Sequence, residues 1–132
     1  MGQFLKTGDV AETALDWGRQ RWLSNPETTK AEQLAVVEVV VEPGKGHNFH
    51  KHVDQEEVLY VIAGQIEQWI DKEKQTLGPG DAVHLPANVV HATFNNGTED
   101  AKFMAIIGPC VGDEGYQVVE LGDEAPWNTM RD

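Results

Sequence analysis

The sequence predicts an all-β protein, built as an antiparallel sandwich or barrel. Its apolar runs are short, rich in β-branched residues and cut by turn residues about every ten positions, the pattern of stacked antiparallel strands. No run longer than about two turns carries the i, i+3, i+4 spacing of an amphipathic helix. Two runs, Val58–Ile62 and Phe103–Ile107, are apolar at both parities, so strands there are expected to be covered on both faces. One cover is the interior. The other is expected to be a second sheet, the chain ends or a partner subunit.

The elements follow in order. Val10–Asp16 is expected as a short helix ended by Gly18. Leu34–Val41 is a β-branched strand that stops at Glu42-Pro43-Gly44. Glu57–Ala63 is a strand ending at Gly64, and Gln65–Ile70 follows it into the charged turn Asp71-Lys72-Glu73-Lys74. Leu77 leads into Gly78-Pro79-Gly80-Asp81, a strong turn signal. Ala82–Leu85, His91–Phe94 and Ala101–Ile107 are further strands, stopped by Pro86, by Asn95-Asn96-Gly97 and by Gly108-Pro109. The ends, residues 1–30 and 109–132, carry Trp17, Trp22 and Trp127 and are expected to wrap the body or a neighbour.

The 132 residues suffice for one domain, residues 1–132, with a barrel core over about 30–110 and packed terminal segments. At this size folding removes roughly two-thirds of the chain's surface from water, enough for a core without staples. Asp plus Glu outnumber Lys plus Arg by 22 to 10, a formal charge of −12. That balance argues against nucleic-acid and anionic-membrane partners, which need a basic face. A single cysteine, Cys110, rules out an intrachain disulfide and a Cys-rich zinc site. Met1–Val10 has no long apolar run and no stretch approaches a membrane span, so a soluble cytoplasmic protein is expected. Strong chemistry is left to five histidines and a surplus of carboxylates.

The informative stretch runs from Gly44 to Gly64. His50 and His52, two apart on a strand, project to one face with Cα atoms roughly 6–7 Å apart, close enough to share a metal ion. Glu57, seven residues after His50, reaches the same cavity only if Val53–Glu56 turns or bulges. His91 is the fourth candidate and arrives only through the fold. His47 is expected at the rim, His84 as a structural residue facing away from Val83 and Leu85, and Glu56 as a solvated carboxylate. Asn95 reads as a turn residue and Cys110 as an inert, partly buried thiol. Tyr60, Trp69, Phe49 and Phe94 are assigned to core packing.

Gly44, five residues, His50, one residue, His52, four residues, Glu57, six residues and Gly64 resemble the first motif of the cupin superfamily at every defined position. Gly80, five residues, Pro86, then His91, three residues and Asn95 resemble the second. Asn88 stands where the family usually has Gly; the position wants positive φ, for which Asn is the best non-glycine choice. With 15 residues between the motifs, the chain resembles the compact single-domain members. The resemblance implies a jelly-roll barrel (a double-stranded β-helix). It also implies one divalent metal ion, Fe, Mn, Ni or Zn, held by His50, His52, Glu57 and His91.

Three imidazoles and one carboxylate on an octahedral ion leave two positions for water, oxygen or a bidentate oxygen donor. The leading expectation is a mononuclear-metal enzyme of dioxygenase, decarboxylase or isomerase type acting on a small oxygenated molecule. Glu56, Gln68, His47 and Tyr60 are candidate acids or bases around it. The alternative is a metal- or ligand-binding module without catalysis. A homodimer that buries the outer face of one sheet is expected from the strands apolar at both parities.

Overall fold

The valine-rich run after Leu34 forms strand β3 (Ala35–Val41), where alternate residues Val37, Val39 and Val41 are buried. The computed structural model describes residues 2–131 and places this strand inside the larger of two antiparallel sheets. β1 (Thr13–Leu15), β2 (Gly18–Ser24), β3, β10 (Ala101–Gly108), β5 (Glu56–Ala63) and β8 (Ala82–Leu85) lie side by side in that order. The second sheet runs β11 (Val119–Glu120), β4 (Gly46–Lys51), β9 (His91–Phe94), β6 (Ile66–Ile70) and β7 (Glu73–Leu77). Apart from the consecutive β1-β2-β3 and β6-β7, neighbours in each sheet come from distant parts of the sequence, as in a double-stranded β-helix.

The strands expected over Leu34–Val41, Glu57–Ala63, Gln65–Ile70, Ala82–Leu85, His91–Phe94 and Ala101–Ile107 are all present within a residue or so. The helix expected over Val10–Asp16 is not. A 3₁₀ turn at Thr7–Asp9 precedes β1, which doubles back through Asp16-Trp17 to pair with β2 in the register Leu15↔Gly18. Pairing with β2 satisfies backbone groups that a single helical turn would leave open, and it overrides the weak local pattern. Gly18 is required there, because a Cβ would run into the Val40 carbonyl. The larger sheet therefore begins at Thr13. The charged turn is also shorter than expected. Only Asp71-Lys72 turns, with Asp71 at φ 53°, and Glu73 and Lys74 already belong to β7.

The interior is one apolar cluster that includes Val37, Val39, Leu59, Val61, Ile66 and Phe103, with Trp17 and Trp22 packed against it. A second cluster lies on the outer face of the smaller sheet. There Phe49, Trp69 and Ala92 are covered by Trp127 and Met130 of the C-terminal segment. That segment is fastened by Arg131, whose guanidinium donates to both carboxylate oxygens of Glu67 at 2.6 and 3.2 Å and lies over the Phe94 ring. Trp69 Nε1 donates to the same carboxylate at 2.6 Å. Trp127 of the C-terminal end thus packs on the outer face of the smaller sheet, whereas Trp17 and Trp22 stand in the larger sheet's own β1–β2 hairpin and face the interior.

The expectation that β5 and β10 are covered on both faces holds for one face within the chain. Leu59, Val61, Phe103, Ala105 and Ile107 are buried, while Tyr60, Ile62 and Ile106 are 46%, 42% and 37% exposed on the opposite parity. Tyr60 is thus not a core residue. The chain's ends cover the smaller sheet and the edge of the larger one, and leave this central outer strip open. No helix among the described residues is long and apolar enough to cross a membrane.

Candidate metal centre

β4 and β9 pair in the register His50↔His91, which sets these two imidazoles side by side on the inner face of the smaller sheet. Their ring centroids are 4.2 Å apart. His52 follows directly after β4, where Val53-Asp54 turns the chain toward β5 with Asp54 at φ 58°. This is the turn needed to bring Glu57 back to the same cavity, and it does so. Glu57 Oε1 lies 3.0 Å from His91 Nε2 and 3.5 Å from His52 Nε2. One nitrogen from each of His50, His52 and His91 lies within 4.8 Å of the others. All four side chains are buried.

A backbone carbonyl orients each imidazole. The Nδ1–H of His50 donates to Asn48 O at 2.6 Å, that of His52 to Gln117 O at 2.8 Å and that of His91 to Val89 O at 3.1 Å. With Nδ1 carrying the proton, each Nε2 presents a lone pair toward the centre. Glu57 Oε1 and His91 Nε2 face each other there, both buried and without a hydrogen bond. Two acceptors at 3.0 Å repel unless a cation lies between or beside them. Three nitrogen donors and one carboxylate suit a divalent transition metal, so the residues present fit such an ion.

The electrostatics follow from burial. Desolvation, then the neighbouring His47 and His91, hold the His50 pKa well below the ordinary histidine value. Burial also pulls His52 down, but Glu57, the Gln117 carbonyl and Glu120 outweigh it and leave its pKa raised. Burial pushes Glu57 up, and the imidazoles of His52 and His91 overcome that to hold it far below the usual carboxylate range.

Asn88 adopts φ 69°, the left-handed backbone expected at that position. Its side chain does more than glycine could: Oδ1 accepts from the Asp54 N–H at 3.0 Å, tying the β8–β9 loop to the turn before Glu57. Gln55, which the sequence pattern does not single out, is 1% exposed and acts as a bracket. Its Nε2 donates to Pro109 O and Gly115 O, and its Oε1 accepts from Gln117 N. The residue it holds is the one whose carbonyl orients His52. A glutamine between a turn and a strand carries no sequence signal of this role.

His47 sits deeper than a rim residue. The β4–β9 register slips between His47 and His50, so both rings point inward although three residues apart. The His47 ring stacks on His50 with centroids 3.6 Å apart and on Trp17 at 5.3 Å. Its Nε2 meets Glu120 Oε1 at 3.1 Å. Of the other candidate acids and bases, Glu56 is exposed and pairs with exposed His84 at 2.8 Å, and Tyr60 points outward. Gln68 is buried against Thr93, away from the cavity at the cluster. Asn95 is a buried turn bracket, bonded to Val41 O, Glu99 O and Gly97 N. Burial raises the Cys110 thiol, which keeps it protonated. Phe49, Trp69 and Phe94 pack under the C-terminal segment, outside the barrel interior.

The cavity above the cluster measures about 220 Å³ and lies between the two sheets. The chain belongs to the cupin family: the family's sequence model, described as a cupin domain, matches residues 37–107. Among individual relatives, protein SchB of Streptomyces halstedii is 31% identical over 118 residues, 88% of this chain and 86% of that protein. Quercetin 2,3-dioxygenase of Bacillus subtilis is 42% identical over 74 residues, 56% of this chain but 21% of the relative. The solved structure of KdgF from Halomonas sp. superposes with a TM-score of 0.76 at 21% identity, covering 86% of this chain and 98% of that one, which establishes the shared fold.

Two outcomes are expected. His52→Ala lowers transition-metal occupancy, measured by elemental analysis after reconstitution, by about tenfold or more while leaving the β-sheet circular dichroism unchanged, because the apolar sheets supply the stability. Wild-type occupancy in the variant would refute the assignment of His52. The second concerns pH. His52 titrates above its ordinary value of 6.5, so protons compete with the metal there first, and His50 competes only in more acid solution. Apparent metal affinity, measured by competition with a chromogenic chelator, should be level above the His52 pKa. Below it, affinity should fall about tenfold per pH unit.

Proposed function

We propose that this cupin is a mononuclear-metal enzyme of dioxygenase, decarboxylase or isomerase type, acting on a small oxygenated molecule. One observation carries the reading: three imidazoles, each pinned through Nδ1, converge on a buried carboxylate whose Oε1 has no hydrogen-bond partner. His50, His52, Glu57 and His91 are the proposed ligands of one divalent ion, with Fe, Mn, Ni and Zn as candidates. Such an ion would polarise a chelated oxygen donor. The local similarity to a quercetin dioxygenase supports the reaction class.

The chain's own residues have separable tasks. Val37, Val39 and Phe103 wall the cavity with apolar surface. His47, set by Glu120 and by stacking on Trp17, is the hydrogen-bonding side chain next to the ligand His50. The experiment is a panel. Protein loaded separately with each metal is incubated with catechols, flavonols, diketones and oxalate, and O₂ uptake and product masses are recorded. Turnover with one pairing, lost in His52→Ala, is the expected result. Ligand binding without product under any metal would make the protein a binding module instead.

A homodimer belongs to the same proposal. The outer strip of β5 and β10 exposes Tyr60, Ile62 and Ile106, and a second copy related by a two-fold axis can bury one such strip against another. Sedimentation velocity at micromolar concentration should give a species of twice 14.6 kDa. A monomer throughout would rule the dimer out.

A further inference from the structure

The cavity over the cluster has a one-sided charge. Among the described residues that line it there is no Lys or Arg, and its carboxylates are Glu57 and Glu120. Arg19 and Arg21 lie nearby in sequence on β2 but are committed elsewhere. Arg19 pairs with Glu12 and Asp100, and Arg21 pairs with Glu38. The residues of β2 that turn inward are Gln20 and Trp22.

The walls are aromatic where they are not aliphatic. Trp17 stacks on His47 with an interplanar angle of 17°, and Trp22 meets Tyr116 at 4.9 Å. Each pair joins the β1–β2 hairpin to a different part of the chain, so the cavity is lined by indole and phenol surface at two places. A volume of about 220 Å³ is below the range of about 300–1,000 Å³ for drug-sized ligands, and fits a body of one or two rings.

These features select a ligand class. A carboxylate or phosphate drawn out of water needs a guanidinium, an ammonium or a set of N–H donors to replace its hydration. The ion proposed at the cluster can compensate only the atoms that chelate it. An anionic group anywhere else in the cavity would meet no lysine or arginine side chain, and near the mouth it would meet Glu120. A flat, uncharged ring offers the indole and imidazole surfaces good contact and brings no charge to be compensated.

We propose that this pocket takes a neutral aromatic molecule with adjacent oxygen donors, of the catechol type, and that Glu120 at the mouth discriminates against the same ring bearing an anionic substituent. The proposal rests on the metal reading above for the adjacent oxygens. The charge discrimination rests on the pocket lining alone.

The test uses a matched pair of probes: catechol, and protocatechuate, the same ring bearing one carboxylate. Binding is measured by calorimetry at neutral pH on Zn²⁺-loaded protein and on metal-free protein, with zinc content determined in parallel. Quenching of tryptophan fluorescence provides a second readout, since Trp17 and Trp22 line the cavity. Catechol should bind the loaded protein about tenfold more tightly than protocatechuate, the size of one like-charge encounter in a partly hydrated site. Glu120→Gln keeps a hydrogen-bonding partner for His47 but removes the charge, and should narrow the gap by strengthening protocatechuate. Protocatechuate binding as tightly as catechol, or a gap unchanged in Glu120→Gln, would overturn the proposal. Failure of catechol to bind in any form of the protein would do the same. A protein that takes up no zinc yet still prefers catechol would refute the metal reading and leave the charge selection standing.

Discussion

A carboxylate buried among three imidazoles constrains this structure more than any other group. Glu57 is almost fully removed from water, and its Oε1 faces imidazole nitrogens whose protons are committed to carbonyls on the far side of each ring. An ionised group in that setting costs several kcal/mol unless positive charge is supplied close by. Such a site persists because the surrounding fold holds every member in place. Each histidine has a carbonyl behind it, and those carbonyls come from three separate segments: Asn48, Gln117 and Val89.

The carbonyls in turn depend on turns and brackets away from the centre. Asp54 and Asn88 both take left-handed backbone and are hydrogen-bonded to each other, which locks the loops before Glu57 and before His91 as one unit. Gln55 performs the matching task for the segment from Pro109 to Gln117. Buried amides of this kind contribute to stability, but their larger effect is to leave a single arrangement available. The C-terminal segment extends the same scheme. Arg131 fastens it to Glu67, and the chain leading to it supplies Tyr116, Val118 and Glu120 to the cavity wall.

The two sheets differ in what covers their outer faces. The smaller sheet turns Phe49 and Trp69 outward and needs the C-terminal Trp127 and Met130 to bury them. The larger sheet receives the β1–β2 hairpin at one edge, while the centre of its outer face stays open. A period-two pattern shows that both parities of a strand are apolar. It does not say which of several covers each face receives. Tyr60 shows the consequence: its residue type and its strand suggest a core position, and its parity places it in solvent in the single chain.

The sequence by itself determined six of the strands, several of the turns and, through the resemblance, the four residues that the fold brings together. Local chemistry sets strand propensity and turn residues, and the spacing of His50, His52, Glu57, Gly64, Gly80, Pro86 and His91 resembles cupin motifs that correspond to one fold. The positive φ at Asn88 was legible for the same reason. The tertiary structure decided the rest. Residues 13–15 became a strand because β2 was there to pair with them, although their local pattern favoured a helix. His47 entered the cavity because the β4–β9 register slips between it and His50, which reverses the parity that a regular strand would give. Gln55, Tyr116 and Glu120 reached the site through contacts spanning tens of residues. Periodicity describes which way a side chain points from its own backbone. What it meets there depends on register and on packing between distant segments, and those are properties of the folded chain alone.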